Sequence, residues 1–354
     1  MSGSDTAGRG GAAPVAASVI IPAFQAAGFV HSAIQSALAQ TRGDIEVVAV
    51  DDGSSDGTWD AIVACADRDA RVVPLRQPRW AGPSAARNAG MAQARGRWIA
   101  VLDADDLYLP HRLEEMIAAA EALGADLIAD NLLQVDFATG QALGNRFRDA
   151  AMDARGPVPL VEAVRRDMPG PKAGDEMFGF FQPVIRRDFL LAHGLRYAED
   201  ILVGEDFLLY FDCIARGGRF HLTPGAQYVQ RIRLGSHSAR NGAMLHLSAA
   251  NRRMLRTAAG LRDRETTALL HRRQRQIDID CFSLLLDQGR IGASLKHAHC
   301  GSPARILRHA RAVVGAACRR LQARAAMPSG PAEQARDAGA AAPRRPAPAA
   351  LPQA

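Results

Sequence analysis

Two apolar runs in this chain stop on clustered carboxylates: IEVVAVDD at residues 45–52 and RWIAVLDADD at 97–106. Short runs that are apolar on both faces form strands covered on both sides, as in parallel sheets flanked by helices. ASVIIPA (17–23) reads as a first such strand, and a helix is expected over 28–39 with Val30, Ile34, Ala37 and Leu38 on one face. RVVPLR (71–76) follows as a strand, PSAARNAGMAQA (83–94) as a helix, and the run ending in DADD as a fourth strand. Pro110 at a first helical turn opens HRLEEMIAAAEAL, and ADLIADNLLQVD (125–136) reads as one more strand. The fold class is therefore α/β, with a mainly parallel sheet flanked by helices.

Ligands of such sheets bind beyond the carboxyl ends of the strands, so both acid clusters are expected on one functional edge. Adjacent Asp51 and Asp52 repel, and each carries a desolvation cost if covered, so either a ligand or the turn after them must need the pair. Asp103 and Asp105 alternate, and a strand end would aim both to one side, where they can share a hard divalent cation. The competing reading of DADD is a solvated acidic turn, with Asp106 as a carboxylate at the next helix N-terminus.

Charge is divided unevenly along the chain. Residues 1–230 carry 21 Lys and Arg against 30 Asp and Glu, whereas residues 231–325 carry 19 against 5. The basic third points to a polyanionic partner, and its shortage of aromatic residues argues against a nucleic-acid stacking surface. Within it, residues 305–324 place Ile306, Ala310, Val313, Val314, Ala317 and Leu321 on one helical stripe ringed by arginines. That pattern suits either ordinary packing or a helix lying on an anionic membrane. The five cysteines show no CxxC spacing, which excludes a disulfide frame and a thiolate zinc site. In KHAHC, alternation of His297, His299 and Cys300 does not by itself build a closed ligand shell. No window reaches the roughly 18 to 20 apolar residues of a spanning helix, and the small, polar N-terminus lacks the apolar core of a signal peptide. A cytoplasmic chain is expected.

Four pieces in order, SVIIPAFQ, VVAVDDGSSDGT, GPSAARNAG and WIAVLDADD, resemble the inverting family 2 glycosyltransferases of the GT-A fold, which implies a Rossmann-like, mainly parallel mixed sheet flanked by helices. The resemblance continues through FFQPVIRRDFL, GEDFLLYFDCIARGG and YVQRIRLGSHS, so that it covers about 18–240, and it is similar there to bacterial exopolysaccharide glucosyltransferases of the succinoglycan type. It implies a UDP-sugar donor (UDP-glucose foremost), Mn²⁺ or Mg²⁺, a polyprenyl-diphosphate-linked glycan acceptor, and work at the cytoplasmic face of the plasma membrane without nucleic acid. By the same resemblance Pro22, Ala23, Phe24 and Asp52 frame the uracil, with Asp52 accepting from its ring N–H, while Asp51 caps the turn. Arg87 approaches the diphosphate or pairs with the acids, and Asp103 and Ala104 meet the sugar nucleotide. Asp105 and Asp103 hold the metal, with His237 able to complete its shell, and Arg231 and Arg233 contact phosphate. In GED, Asp206 is the implied general base and Glu205 a ligand of acceptor hydroxyls, against the plainer reading of two helix-capping acids.

The QxxRW motif of processive relatives is absent, so one sugar per acceptor is expected. A sugar nucleotidyltransferase would carry a Gly-rich, basic loop after the first strand, and IPAFQAAG is not one. Glycans of lipopolysaccharide or protein remain alternative acceptors. The expected organisation is an arm at 1–16, a catalytic domain at 17–242 with its nucleotide-binding half at 17–106 and its acceptor half at 107–242, a basic helical extension at 243–325, and an Ala/Pro-rich tail at 326–354.

Overall fold

The computed structural model describes residues 14–148, 152, 156–169, 177–233, 243–288 and 314–315. Its first sheet contains β1 (Ala17–Ala23), β2 (Ile45–Asp51), β3 (Val72–Arg76) and β4 (Trp98–Val101). Further along the chain, β6 (Leu127–Ala129), β9 (Val184–Arg186) and β10 (Phe220–Leu222) complete it in the order β10-β6-β9-β4-β1-β2-β3. β1 runs parallel to both β2 and β4, while β9 is antiparallel to its neighbours β4 and β6. Chain order reverses at β1, which makes the carboxyl ends of β1, β2 and β4 the crevice where such sheets take ligands. Val19, Ile20, Val47 and Val48 are buried, as the two-sided apolar runs require.

Helices α1 (Val30–Leu38), α2 (Thr58–Ala66), α3 (Pro83–Gln93) and α4 (Arg112–Leu123) are next in chain order. α1 buries Val30, Ala33, Ile34 and Ala37 at the spacing of one helical face. Pro110 lies ahead of α4 rather than in its first turn; its carbonyl accepts from the Thr41 N–H at 2.9 Å, which ties the entry loop to the end of α1.

The strand expected over 125–136 is two strands in two sheets. After β6 the chain passes to β7 (Leu132–Asp136), which joins β5 (Leu107–Tyr108), β8 (Ala142–Asn145) and β11 (Tyr228–Ile232) in the order β5-β11-β7-β8. Buried side chains hold the break. Asp130 pairs with buried Arg112 at 2.9 Å and accepts from the Gln227 N–H, while Asn131 bridges to the Phe147 backbone. An apolar pattern cannot report this switch, because the partners that set it, Arg112, Phe147 and Gln227, are distant in the chain.

Three shorter helices follow, α5 (Leu160–Arg166), α6 (Arg187–His193) and α7 (Glu205–Ala215). Within the expected extension, α8 (Ala243–Gly260) and α9 (Arg264–Asp287) pack on each other and against α7 and α5. Ala250, Met254, Ala258 and Leu270 join the main apolar core, so these helices are built into the same body as the sheet. Arg273, 1% exposed, sets its guanidinium on buried Asp167 at 2.6 Å, on Asn251 Oδ1, and over the Phe207 ring. Removing one partner of such a pair typically costs about 3–5 kcal/mol. Among the described residues no helix is long and apolar enough to cross a membrane.

Candidate active site

The acid pair at the end of β2 is divided between two tasks. Asp51 Oδ1 accepts from the Ser54 N–H at 3.0 Å, closing the turn, while Arg76 lies 3.2 Å from its other oxygen. Asp52 is buried, its own N–H donates to the Ala23 carbonyl, and its two oxygens accept from the Ala81 and Gly82 amides at 2.9 and 2.8 Å. Burial pushes the Asp52 carboxyl upward, opposed by those two amides. Asp52 thus holds the loop before α3. Gly53 (φ 71°) allows the close approach, since a Cβ there would stand 2.4 Å from the Arg79 carbonyl carbon.

That loop carries Trp80, 45% exposed, with its ring centroid 6.2 Å from that of Phe24. Pro22 and Phe24 are half-buried and Ala23 is buried. A hollow of ≈ 350 Å³ lined by Gly53, Ser54, Arg76, Gln77 and Pro78 lies on the same loop. Sequence reading singled out Phe24 and missed Trp80, because an isolated tryptophan outside any motif signals nothing until the anchoring of its loop is known.

Arg87 on α3 is the centre of the site. Its guanidinium is 6% exposed and reaches three acids: Asp103 Oδ1 at 3.2 Å, Glu205 Oε1 at 3.0 Å and Asp206 Oδ1 at 3.3 Å. It also lies 5.1 Å from the centre of the Tyr197 ring. DADD and GED, about a hundred residues apart in the chain, therefore meet on one cation. Burial is the main force pushing the Asp206 carboxyl up to about 8; Glu205 and Asp103 add to it, and Arg87 opposes them. Glu205 is also raised, again chiefly by burial. Asp206 Oδ1 is buried and accepts no hydrogen bond among the described residues. A carboxylate with spare accepting capacity and a pKa near neutrality is suited to taking a proton.

DADD itself is a turn and not a strand end. β4 stops at Val101, and the Asp106 N–H donates to the Asp103 carbonyl at 3.0 Å. The alternation argument therefore fails, and Asp103 and Asp105 face different partners. Asp103 meets Arg87 and, at 3.5 Å, the Gln182 amide, whereas Asp105 pairs with Arg233 at 3.0 Å. Ala104 is buried between them. Asp106 does not cap α4, which begins six residues later. It is buried against the Tyr228 hydroxyl and the Arg231 N–H, and burial together with the charges of Asp103 and Asp105 lifts its carboxyl well above the usual range. Arg231 bonds the Asp105 carbonyl through Nε and lies over the Phe137 ring.

No group of three or more His, Cys, Asp or Glu side chains placed to hold a metal occurs among the described residues. Asp103 and Asp105 are 33% and 26% exposed and offer hard oxygen donors. Mg²⁺ and Mn²⁺ suit such a set, since one or two carboxylates commonly suffice when phosphates and water fill the rest of the shell. His237, His297, His299 and Cys300 lie outside the described residues, as does nearly all of the 305–324 stripe.

Comparison with known proteins gives four findings. The model of the family "Glycosyl transferase family 2" matches residues 18–162. The chain is 36% identical over 316 residues to the succinoglycan biosynthesis protein ExoO of Rhizobium meliloti, covering 88% of each chain. Over 100 residues, 28% of this chain and 39% of the relative, it is 35% identical to the UDP-Glc:alpha-D-GlcNAc-diphosphoundecaprenol beta-1,3-glucosyltransferase WfaP of Escherichia coli. Among solved structures, S. aureus TarS 1-349 in complex with UDP-GlcNAc superimposes with a TM-score of 0.62 at 17% identity, covering 87% of this chain and 92% of that one.

Proposed function

The chain belongs to glycosyl transferase family 2, and we propose that it transfers a single sugar from a UDP-sugar, UDP-glucose foremost, to a polyprenyl-diphosphate-linked glycan during surface polysaccharide synthesis. One observation carries the reading. Arg87 gathers the acid at the donor end, Asp103, and the acids at the acceptor end, Glu205 and Asp206, around one guanidinium at the carboxyl edge of the sheet. Similarity to an exopolysaccharide biosynthesis protein and to a UDP-glucose-dependent, lipid-linked glucosyltransferase supports the choice of donor and acceptor.

In the proposed reaction the acceptor hydroxyl oxygen attacks the anomeric carbon from the face opposite the UDP. The bond from that carbon to the diphosphate oxygen breaks, UDP departs, and the hydroxyl proton passes to Asp206 Oδ1. Glu205, held by Arg87, orients acceptor hydroxyls and keeps a second negative charge close enough to raise the proton affinity of Asp206. Asp105 and Asp103, with His237 as a further ligand, would hold Mg²⁺ or Mn²⁺, which supplies Lewis-acid stabilisation of the charge on departing UDP. Phe24 and Trp80 give the uracil its aromatic walls, and Asp52 acts chiefly by fixing the loop that carries Trp80, with further accepting capacity on its oxygens for the ring N–H.

A donor panel tests the reading. UDP-sugars incubated with lipid extract, with and without Mn²⁺, are expected to yield UDP and a glycolipid from one donor, faster with metal. Formation of a nucleotide sugar from a nucleoside triphosphate and a sugar phosphate would establish the nucleotidyltransferase instead. In the same assay Asp105→Asn is expected to raise the Mn²⁺ needed for half-maximal turnover at least about tenfold, the lower range even for loss of an outer-shell partner. Wild-type metal demand in that variant would remove Asp105 from the metal site.

Trp80 has a direct readout, since the chain holds three tryptophans, of which Trp98 is buried and Trp59 lies beneath Arg76 at the edge of the hollow. UDP is expected to quench part of the fluorescence, and Trp80→Leu is expected to remove most of that quench, leaving at most a Trp59 contribution, and to weaken UDP binding about tenfold, within the range of base–aromatic stacking. An unchanged quench and affinity would place the base elsewhere.

A further inference from the structure

We propose that the outer end of the α8–α9 hairpin is a docking surface for an anionic lipid bilayer. The observation is a set of exposed arginines with no ion-pair partner among the described residues: Arg256 near the end of α8, Arg262 in the turn, and Arg264 at the first position of α9. Leu261, 50% exposed, stands among them at the tip. Two acids are close in sequence, but both are already occupied. Asp263 caps α9 by accepting from the Thr266 N–H at 3.0 Å and from its hydroxyl, and Glu265 pairs with Arg165 at 3.1 Å.

Folding gives no account of this arrangement. The faces of α8 and α9 that hold the domain together are the opposite ones, carrying Asn251, Met254, Ala258, Thr266, Leu270 and Arg273. Arg264 sits at a helix N-terminus, where the backbone dipole disfavours a cation. Arg262 has φ 57°, in the left-handed region that a residue with a Cβ seldom adopts, so the turn holds a costly conformation while displaying charge. Arg252 and Arg272 extend the exposed basic surface along both helices.

Charge complementarity selects a polyanion, and two features select lipid over nucleic acid. The tip offers an exposed leucine for shallow insertion, and no exposed Phe, Trp or Tyr for base stacking occurs in the described part of 243–288. The choice of lipid also rests on the proposed lipid-linked acceptor, which is confined to a bilayer. α8 packs against α7, where Leu247 meets Gly204 next to Glu205, so a bilayer held at this hairpin is coupled through one rigid helix to the acceptor end of the site.

The test uses the full chain and sedimentation with phosphatidylcholine vesicles that contain or lack phosphatidylglycerol, without donor or acceptor. The wild type is expected to bind only the anionic vesicles, and to dissociate as salt is raised. The triple variant Arg256→Gln, Arg262→Gln, Arg264→Gln is expected to partition about 100-fold more weakly, from roughly fivefold for each arginine near anionic lipid. Its UDP affinity should match the wild type, which shows that the fold is intact. Equal sedimentation of variant and wild type, or binding indifferent to salt, would overturn the surface. Single-stranded RNA that binds more tightly than the vesicles, and loses affinity in the same variant, would also overturn it in favour of nucleic acid. Because no sugar is present, the outcome does not depend on whether the transferase reading stands.

Discussion

Asp206→Asn is expected to lower sugar transfer by about 10²- to 10⁴-fold while leaving UDP affinity close to the wild-type value. The amide keeps the size of the carboxylate but cannot take the acceptor proton. The pH profile adds a second signature. Burial and the neighbouring acids push the Asp206 carboxyl up to about 8, so at neutral pH most of it is protonated and unable to accept. Transfer should therefore rise with pH toward a plateau above about 8, and this limb should vanish in the variant. Initial rates between pH 6 and 9.5, with UDP affinity measured alongside, check both. A parallel loss of UDP binding would move Asp206 into the nucleotide site, and an unchanged pH limb would assign the titration to another group.

Arg87→Met is expected to cost about 3–5 kcal/mol of stability, because it leaves three clustered carboxylates without their shared cation. The sign of its pH dependence follows from Glu205 and Asp206. Burial already raises both carboxyls, and Arg87 opposes that rise. Without Arg87 the folded protein therefore holds those two protons more tightly still than the unfolded chain does, and stability is preserved at acid pH and lost as pH rises. Denaturant midpoints at pH 5.5 and 8.5 should therefore separate in the variant more than in the wild type. If the variant remains folded at pH 7, its transfer limb should move to higher pH, because Arg87 is the charge that lowers the Asp206 carboxyl. A limb at the wild-type position would mean that Arg87 does not act on the base.

Much of the fold and part of the site were legible in the residues. β1, β2, β3 and β4 lie under the apolar runs, and α1 and α3 match their helical patterns to within about two residues. These elements are local: a two-sided apolar run of five to seven residues has few ways to be buried other than as a strand under helices. The turn role of Asp51 was equally local, since it needs only the residues just after it. α2 was missed because TWDAIVACA is short and weakly patterned, and its place is settled by the GSSDGT turn. The DADD turn was misread as a strand end because alternation cannot tell where the hydrogen-bonded ladder stops.

The sequence by itself determined the alternation of strands and helices, the carboxyl edge on which both acid clusters lie, and the identity of nearly every acid in the site. The tertiary structure decided how those acids are used. Arg87 meets Asp103, Glu205 and Asp206 only because α3, the turn after β4 and the start of α7 converge from distant parts of the chain. Asp52 turns inward to the Ala81 and Gly82 amides, Trp80 is set beside Phe24, and Arg233 faces Asp105 by the same convergence. Periodicity and composition report which faces of an element are apolar, a short-range property. Which charges share a low-dielectric pocket, and hence which proton affinities shift, depends on distances between segments that only the folded chain defines.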